Sequence, residues 1–223
     1  MAAQTIAIID YGSGNLRSAQ KAFAHVLVET GTWGEAVITA DADVVARADK
    51  IVLPGQGAFG DCIDGLKKVD GMVDALCENV LQRGKPFFGI CVGMQLLASR
   101  GLEFGVHEGL GWISGDVVKM TPVDSSLKIP HMGWNEMVWD NQKPHPVLRG
   151  ITKKPDGEFP DFYFVHSFVF ECKNSDHVAG RCDYGGHFTA MVAKDNIIGT
   201  QFHPEKSQKA GLELIAGFLN WNP

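Results

Sequence analysis

Apolar positions along the chain follow two rhythms, and their order predicts the architecture. Short apolar runs stand at 5–10, 36–39, 50–53 and 86–90, the length and composition of buried strands. Between them the spacing changes to threes and fours. A helical stretch is predicted from 16 to about 28, and another over 62–82, where Ile63, Leu66, Val69, Met72, Val73, Leu76, Val80 and Leu81 share a face ahead of Gly84. A further helical stretch is expected over 94–99. Strand and helix in alternation imply a parallel sheet covered on both faces. After Gly101 the pattern turns strand-like, at 116–121, 134–139, 162–170, 188–193 and 197–202, and a last helix is expected from 206 to about 221. Segment 140–160, with Pro144, Pro146, Pro155 and Pro160, reads as a surface loop. The expected fold is a three-layer α/β/α arrangement around a mostly parallel, mixed sheet. With no repeat and no linker rich in Pro, Gly or Ser, residues 1–223 are expected to form one domain.

Composition narrows the function without choosing it. A formal charge of −6 and the lack of a basic tract argue against a nucleic-acid binder. No apolar run is long enough for a membrane span. The start, Met1-Ala2-Ala3-Gln4-Thr5, lacks the basic region of a secretory leader, so a cytoplasmic location is expected. Five cysteines, at 62, 77, 91, 172 and 182, have no regular spacing and fit reduced thiols better than a disulfide framework. The eight histidines form no metal-ligand pattern, and neither a metal nor a cofactor is expected.

Chemistry concentrates at Gly89-Ile90-Cys91-Val92-Gly93, at the end of one strand and the start of a helical stretch. This is the thiol form of a nucleophile elbow, with glycines where a Cβ would strike the neighbouring strand and helix. A helix N-terminus there would favour a thiolate. The alternative is a buried small apolar residue, the common fate of a free cysteine. Gly199-Thr200-Gln201-Phe202-His203-Pro204-Glu205 supplies a histidine at a strand end with a carboxylate two residues on. Glu205 can then fix the tautomer of His203, and Cys91, His203 and Glu205 make a complete set for acyl transfer; alone, His203 could be structural. Gln95 lies one helical turn past Cys91, either solvated or facing the substrate.

Gly55-Gln56-Gly57-Ala58-Phe59-Gly60 matches a dinucleotide fingerprint. The acid that should end the next strand to hold a ribose is missing, and Pro54 begins the turn. Its other use is to aim backbone N–H groups, at Gln56 or Gly57, toward an oxyanion at Cys91, alongside the amide of Val92.

With Pro54-Gly55-Gln56-Gly57, Gly89-Ile90-Cys91-Val92-Gly93-Met94-Gln95, Val165-His166-Ser167-Phe168 and Gln201-Phe202-His203-Pro204-Glu205 in this order, the chain resembles the class I, triad-type glutamine amidotransferases along nearly its whole length. The resemblance implies attack of Cys91 on the side-chain amide of glutamine, release of ammonia, and hydrolysis of a glutamyl thioester. It implies that Gln95 and the backbone at Ser167 and Phe168 hold the amino-acid part of glutamine, with Gly57 near the oxyanion. Position 56 is Gln where Val is frequent in the family, and 168 is Phe where Tyr is common.

Three segments, Tyr11-Gly12-Ser13-Gly14-Asn15-Leu16-Arg17-Ser18, Ile129-Pro130-His131-Met132-Gly133-Trp134-Asn135 and Phe202-His203-Pro204-Glu205-Lys206-Ser207, are similar to one branch of the family, the glutaminases of imidazole glycerol phosphate synthase. Anthranilate and GMP synthase glutaminases lack the His-Met-Gly-Trp-Asn segment in this form. The branch implies a partner, the (β/α)8-barrel cyclase HisF, in a heterodimer serving histidine biosynthesis. Delivery through the protein would keep the ammonia unprotonated and close to its acceptor. Asn15, Trp134, Tyr163 and Lys206 are the interface candidates; as alternatives, Trp134 and Tyr163 would be core aromatics and Lys206 a solvated residue. Competing readings are a stand-alone cysteine hydrolase or peptidase, the glutaminase of another synthase, and a binding subunit with a vestigial triad.

Overall fold

In the computed structural model, which describes residues 3–223, the first half alternates as the periodicity predicts. Met1 and Ala2, part of the leader reading, lie outside the described residues. Strand β1 (Gln4–Ile9) leads to helix α1 (Leu16–Glu29), which buries Ala19, Ala22, Phe23, Val26 and Leu27 on one face. Then come β2 (Gly34–Thr39), α2 (Ala42–Arg47), β3 (Lys50–Gly55) and α3 (Phe59–Lys68). The short α2, absent from the sequence reading, starts at Asp41, whose carboxylate accepts the Asp43 N–H at 2.8 Å.

The helix expected over 62–82 is divided. Asp70-Gly71 interrupts it, Gly71 taking φ 65°, and α4 (Met72–Leu76) restarts the helix. It widens into a π-helical turn, Cys77–Gln82, where the Asn79 side chain donates to the Ala75 carbonyl at 2.8 Å and takes the place of a backbone donor. Ile63, Leu66, Met72, Leu76 and Val80 are buried as their spacing requires, whereas Leu81 is half exposed.

Strand β4 (Phe87–Cys91) ends at the elbow, and α5 (Val92–Gln95) follows at once. The longer helix expected there does not form. Leu96, Leu97 and Ala98 are completely buried, and the carbonyls of Leu96 and Ala98 accept N–H groups from Leu110 and Gly111 instead of continuing a helix.

The second half holds β5 (Arg100–Gly101), β6 (His107–Glu108), β7 (Gly115–Lys119), β8 (His131–Glu136), β9 (Asp161–His166), β10 (Phe168–Cys172), β11 (Val178–Asp183), β12 (His187–Lys194), β13 (Ile197–Thr200) and α6 (Gln208–Asn220). The single strand expected over 162–170 is two strands. They part at Ser167 because β9 pairs with β8, while β10 pairs with β7 in another sheet. The edge strand β11, where Gly180, Arg181 and Asp183 break up the apolar positions, was not legible from periodicity. Loop 140–160 is largely irregular, with one 3-10 turn, Pro146–Leu148, that buries Val147 and Leu148.

The main sheet has the order β11-β12-β13-β4-β3-β1-β2. β2, β1, β3, β4 and β13 run parallel; β12 runs antiparallel to both of its neighbours, β13 and β11, so the edge strand β11 has the same direction as the other five. β3 and β4 are buried from end to end, as central parallel strands must be. Helices α1 and α6 pack together on one face, where Phe23, Phe88 and Phe218 meet at 5.2–6.4 Å between ring centres. Helices α2, α3 and α4 form the opposite layer, as right-handed crossovers dictate. All five cysteines are free thiols. No helix among the described residues is long and apolar enough to cross a membrane.

Candidate active site

The register of the main sheet sets the site. Cys91, last residue of β4, is level with Gly55 at the end of β3, and Ile90 is level with Thr200 at the end of β13. The loops after β3 and β13 therefore rise on either side of the thiol, at the carboxyl edge where parallel sheets place ligands. Cys91 has φ 55°, a left-handed conformation that a side chain adopts only at a cost. Its flanking glycines are required sterically. A Cβ on Gly89 would stand 2.6 Å from the Gly93 carbonyl oxygen, and one on Gly93 would overlap the carbonyl oxygen of Leu53. Because α5 has four residues, the helix dipole contributes less than the sequence suggested.

His203 follows β13. Its N–H donates to the Tyr163 carbonyl at 2.9 Å, and its carbonyl accepts the Ser207 hydroxyl at 2.6 Å. That hydroxyl also accepts the Tyr163 N–H at 3.0 Å, so β9 holds the turn. Nδ1 of His203 donates to Glu205 Oε1 at 2.8 Å, and both side chains are almost fully buried. Burial alone would drive the imidazole toward its neutral form. Contact with the Cys91 sulfur and the Glu205 carboxylate outweighs it and raises the His203 pKa to about 10. The thiol, imidazole and carboxylate are thus assembled, with Nδ1 committed to Glu205.

Gln95 is buried and closes the floor. Its Nε2 donates to the Phe168 carbonyl at 3.2 Å and to Oε1 of Gln201 at 2.9 Å. Both amide protons are engaged, which leaves Oε1 to meet a ligand. Gln201, completely buried, points its own Nε2 at Cys91 Sγ across 3.7 Å. A cavity of about 300 Å³ opens above, bordered by Gln56, Gly57, Cys91, Val92, Gln95, Glu103, Val165, His166, Ser167, Phe168, His203 and Lys206. Each candidate catalytic, oxyanion and pocket residue borders it except Glu205, which stands behind His203.

The loop after β3 faces elsewhere in this conformation. The Ser13 hydroxyl donates to the Gln56 carbonyl at 2.5 Å and accepts the Gln56 N–H at 3.3 Å, while Cys62 Sγ donates to the same carbonyl at 3.2 Å. The Gln56 N–H is therefore directed at Ser13 and not at Cys91. Gly57 has φ 97° and open space where a Cβ would lie.

The Trp134 and Tyr163 rings meet edge to face at 5.9 Å, and Nζ of Lys206, which borders the cavity, lies 5.8 Å from the Tyr163 ring centre. Trp134 is 48% exposed, so it is not a core aromatic. Asn15 precedes α1, a helix that packs on the turn Pro204–Lys206. Ser13, Cys62, Glu103, His166 and Gln201 had no assigned role in the sequence reading. Ser13, His166 and Gln201 lay within motifs already singled out; nothing in the local pattern marked Glu103.

The sequence profile described as "Glutamine amidotransferase class-I" matches residues 7–220. The chain belongs to the class-I glutamine amidotransferase family. Among similar proteins, one named imidazole glycerol phosphate synthase subunit HisH, from Brucella suis biovar 1, is 56% identical over 218 residues, covering 98% of this chain and 99% of the relative. A protein of the same name from Rhodopseudomonas palustris is 53% identical over 219 residues, covering 98% and 100%. A solved structure titled as a glutamine amidotransferase superposes with a TM-score of 0.68 at 17% identity, covering 96% of both chains. A glutamine amidotransferase from Thermotoga maritima gives a TM-score of 0.58 at 13% identity, covering 92% of this chain and 77% of that one. The two structures share the fold.

Proposed function

We propose that this glutamine amidotransferase is the glutaminase subunit of an imidazole glycerol phosphate synthase. The carrying observation is the buried Cys91–His203–Glu205 set at the floor of a cavity of about 300 Å³, small for a ligand site and suited to one amino acid rather than a peptide. The 53–56% identical relatives named for that subunit supply the branch.

In this reading the sulfur of Cys91, beside a His203 that already carries the proton, attacks the side-chain amide carbon of glutamine. His203 gives a proton to the departing nitrogen, and ammonia leaves. Water, deprotonated by His203, then cleaves the thioester to glutamate and frees Cys91. Glu205 keeps Nδ1 occupied so that Nε2 handles each transfer. Val92 and the turned loop at Gln56 or Gly57 supply oxyanion N–H groups. Gln95 Oε1, the Glu103 carboxylate and the backbone at Ser167–Phe168 hold the amino-acid end of glutamine, the acid pairing with its ammonium group. Residues 1–223 work as one domain in the cytoplasm.

The partner is the (β/α)8-barrel cyclase HisF, docked as a heterodimer over Asn15, Trp134, Tyr163 and Lys206. It converts a phosphoribulosyl-formimino nucleotide and the delivered ammonia to imidazole glycerol phosphate and an aminoimidazole carboxamide nucleotide. Since the Gln56 N–H faces Ser13, the isolated chain is expected to hydrolyse glutamine poorly, and the loaded partner to turn the loop. Glutamate release should rise strongly when cyclase and nucleotide are added, with imidazole glycerol phosphate formed in step. Full activity of the chain alone would overturn the switching; no product with cyclase and nucleotide present would overturn the assignment.

A further inference from the structure

The segment Ile129-Pro130-His131-Met132-Gly133-Trp134-Asn135 contributes more than the half-exposed Trp134. Along β8, Met132 and Trp134 face outward, while His131 is turned inward and buried between the rings of Phe164 and Tyr184, at 5.0 and 4.0 Å. His131 Nδ1 lies 3.1 Å from Nε2 of His166, on the next strand and at the cavity wall. His166 Nδ1 in turn lies 3.0 Å from the Phe168 carbonyl.

These contacts have one consistent proton assignment. A carbonyl can only accept, so His166 carries its proton on Nδ1. Burial holds both rings neutral, their pKa values lowered to about 3 at His166 and about 4 at His131. Nε2 of His166 is then an acceptor, and His131 must donate from Nδ1. Nε2 of His131 accepts in its turn, from Asn135 Nδ2 at 3.4 Å. The same Asn135 nitrogen donates to the Asp183 carbonyl at 2.9 Å, and Asn135 Oδ1 accepts the Glu136 N–H at 2.8 Å, which fixes the amide orientation. From Asn135 through His131 and His166 the donors point the same way, and the series ends on the Phe168 carbonyl, which cannot pass a proton onward. It is built to hold a position and not to conduct protons.

We propose that His131 and His166 are positioning residues that lock the Phe168 carbonyl, and through it the side chain of Gln95 and the backbone at 167–168, in the geometry that binds substrate. The Phe168 carbonyl receives two donors, Nδ1 of His166 and Nε2 of Gln95. It lies one residue past the point where the chain passes from one sheet to another, so strand pairing holds it on one side only. Without His131, His166 Nε2 is a buried acceptor with no donor, and the ring is free to turn away. The reacting groups are carried by β4 and the loop after β13; the series makes no direct contact with Cys91 or His203 and reaches them only through the β9 backbone and through Gln95 and Gln201. The substrate in question is the glutamine of the preceding section, and the inference rests on that reading.

The test compares His131→Phe with His131→Asn in the full chain assembled with the cyclase. Phenylalanine keeps the stacking and deletes the donor; the asparagine Nδ2 can stand where Nδ1 stood. His131→Phe should raise the KM for glutamine about tenfold with kcat within about threefold of wild type, and His131→Asn should recover most of the loss. Nitrogen-15 spectra of the wild-type imidazoles should show both rings neutral at pH 7 with the proton on Nδ1. An unchanged KM in His131→Phe, equal damage from both variants, or a His166 proton on Nε2 would overturn the proposal. The spectra decide it even if His131→Phe does not fold. Absence of glutamine hydrolysis by the wild-type complex would instead bring down the functional reading on which it rests.

Discussion

Cys91 is held at φ 55° by glycines that admit no other residue, and its sulfur is flanked by His203 and by the Gln201 amide. Gln201 links two parts of the proposed reaction, since it touches both the thiol and Gln95. Replacing it with leucine keeps the volume approximately, removes the Gln95 acceptor and leaves a buried donor unpaired. Gln201→Leu is expected to lower kcat/KM for glutamine by about ten- to a hundredfold, equivalent to roughly 1.4–2.7 kcal/mol. Steady-state glutaminase assays of the complex would show it, and a loss below twofold would remove Gln201 from the account. Gly93→Ala should destabilise the fold by at least about 1–3 kcal/mol, because the added methyl meets backbone and not a flexible side chain; denaturant unfolding measures it, and an unchanged midpoint would contradict the steric argument.

Among the elements, the loop after β3 has the most to decide. Ser13 grips both the N–H and the carbonyl of Gln56, so Ser13→Ala should ease the turn toward Cys91. A hydrogen bond worth about 1 kcal/mol corresponds to roughly a fivefold change, and glutamate release by the isolated chain should rise by about that factor. No change, or a fall, would mean that the Ser13 contact does not restrain the loop. The same scale explains what the sequence made legible. Strands β1 to β4 and helix α1 were readable because burial imposes its period on neighbouring residues, and the elbow because its glycines are local requirements. The Gln95–Gln201 and His131–His166 contacts join residues 106 and 35 positions apart, and no local pattern encodes them. The break at Ser167 escaped because an apolar run cannot show that its two halves belong to different sheets. The helix expected after Cys91 failed because partners from 109–113 took its carbonyls, a tertiary effect.

For the whole molecule, the buried histidines predict how stability varies with pH. In the unfolded chain they take up protons near pH 6.5. In the fold, burial lowers His131 and His145 to about 4 and His166 to about 3, so from 6.5 downward the unfolded state binds more protons. Their stability is fully present above pH 6.5 and is lost as the pH falls toward 4. His203, raised to about 10, acts in the opposite sense: its contribution is full below pH 6.5 and is lost as the pH rises through 10. Urea midpoints should therefore peak near pH 6.5–7, and Glu205→Gln should flatten the alkaline side. A midpoint that keeps rising toward pH 4 would contradict the burial of the three neutral rings. Partnership belongs to this scale too: the half-exposed Trp134, the partly buried Tyr163 and the exposed Lys206 form one contiguous patch, and Lys206 also borders the cavity. The most direct measurement is formation of imidazole glycerol phosphate by the complex of the Cys91→Ala variant with the cyclase, with glutamine or with ammonium salt as nitrogen source. A loss of at least about a thousandfold with glutamine is expected, with near wild-type formation from ammonium at high pH. Glutamine-dependent product from Cys91→Ala at wild-type rates would contradict it.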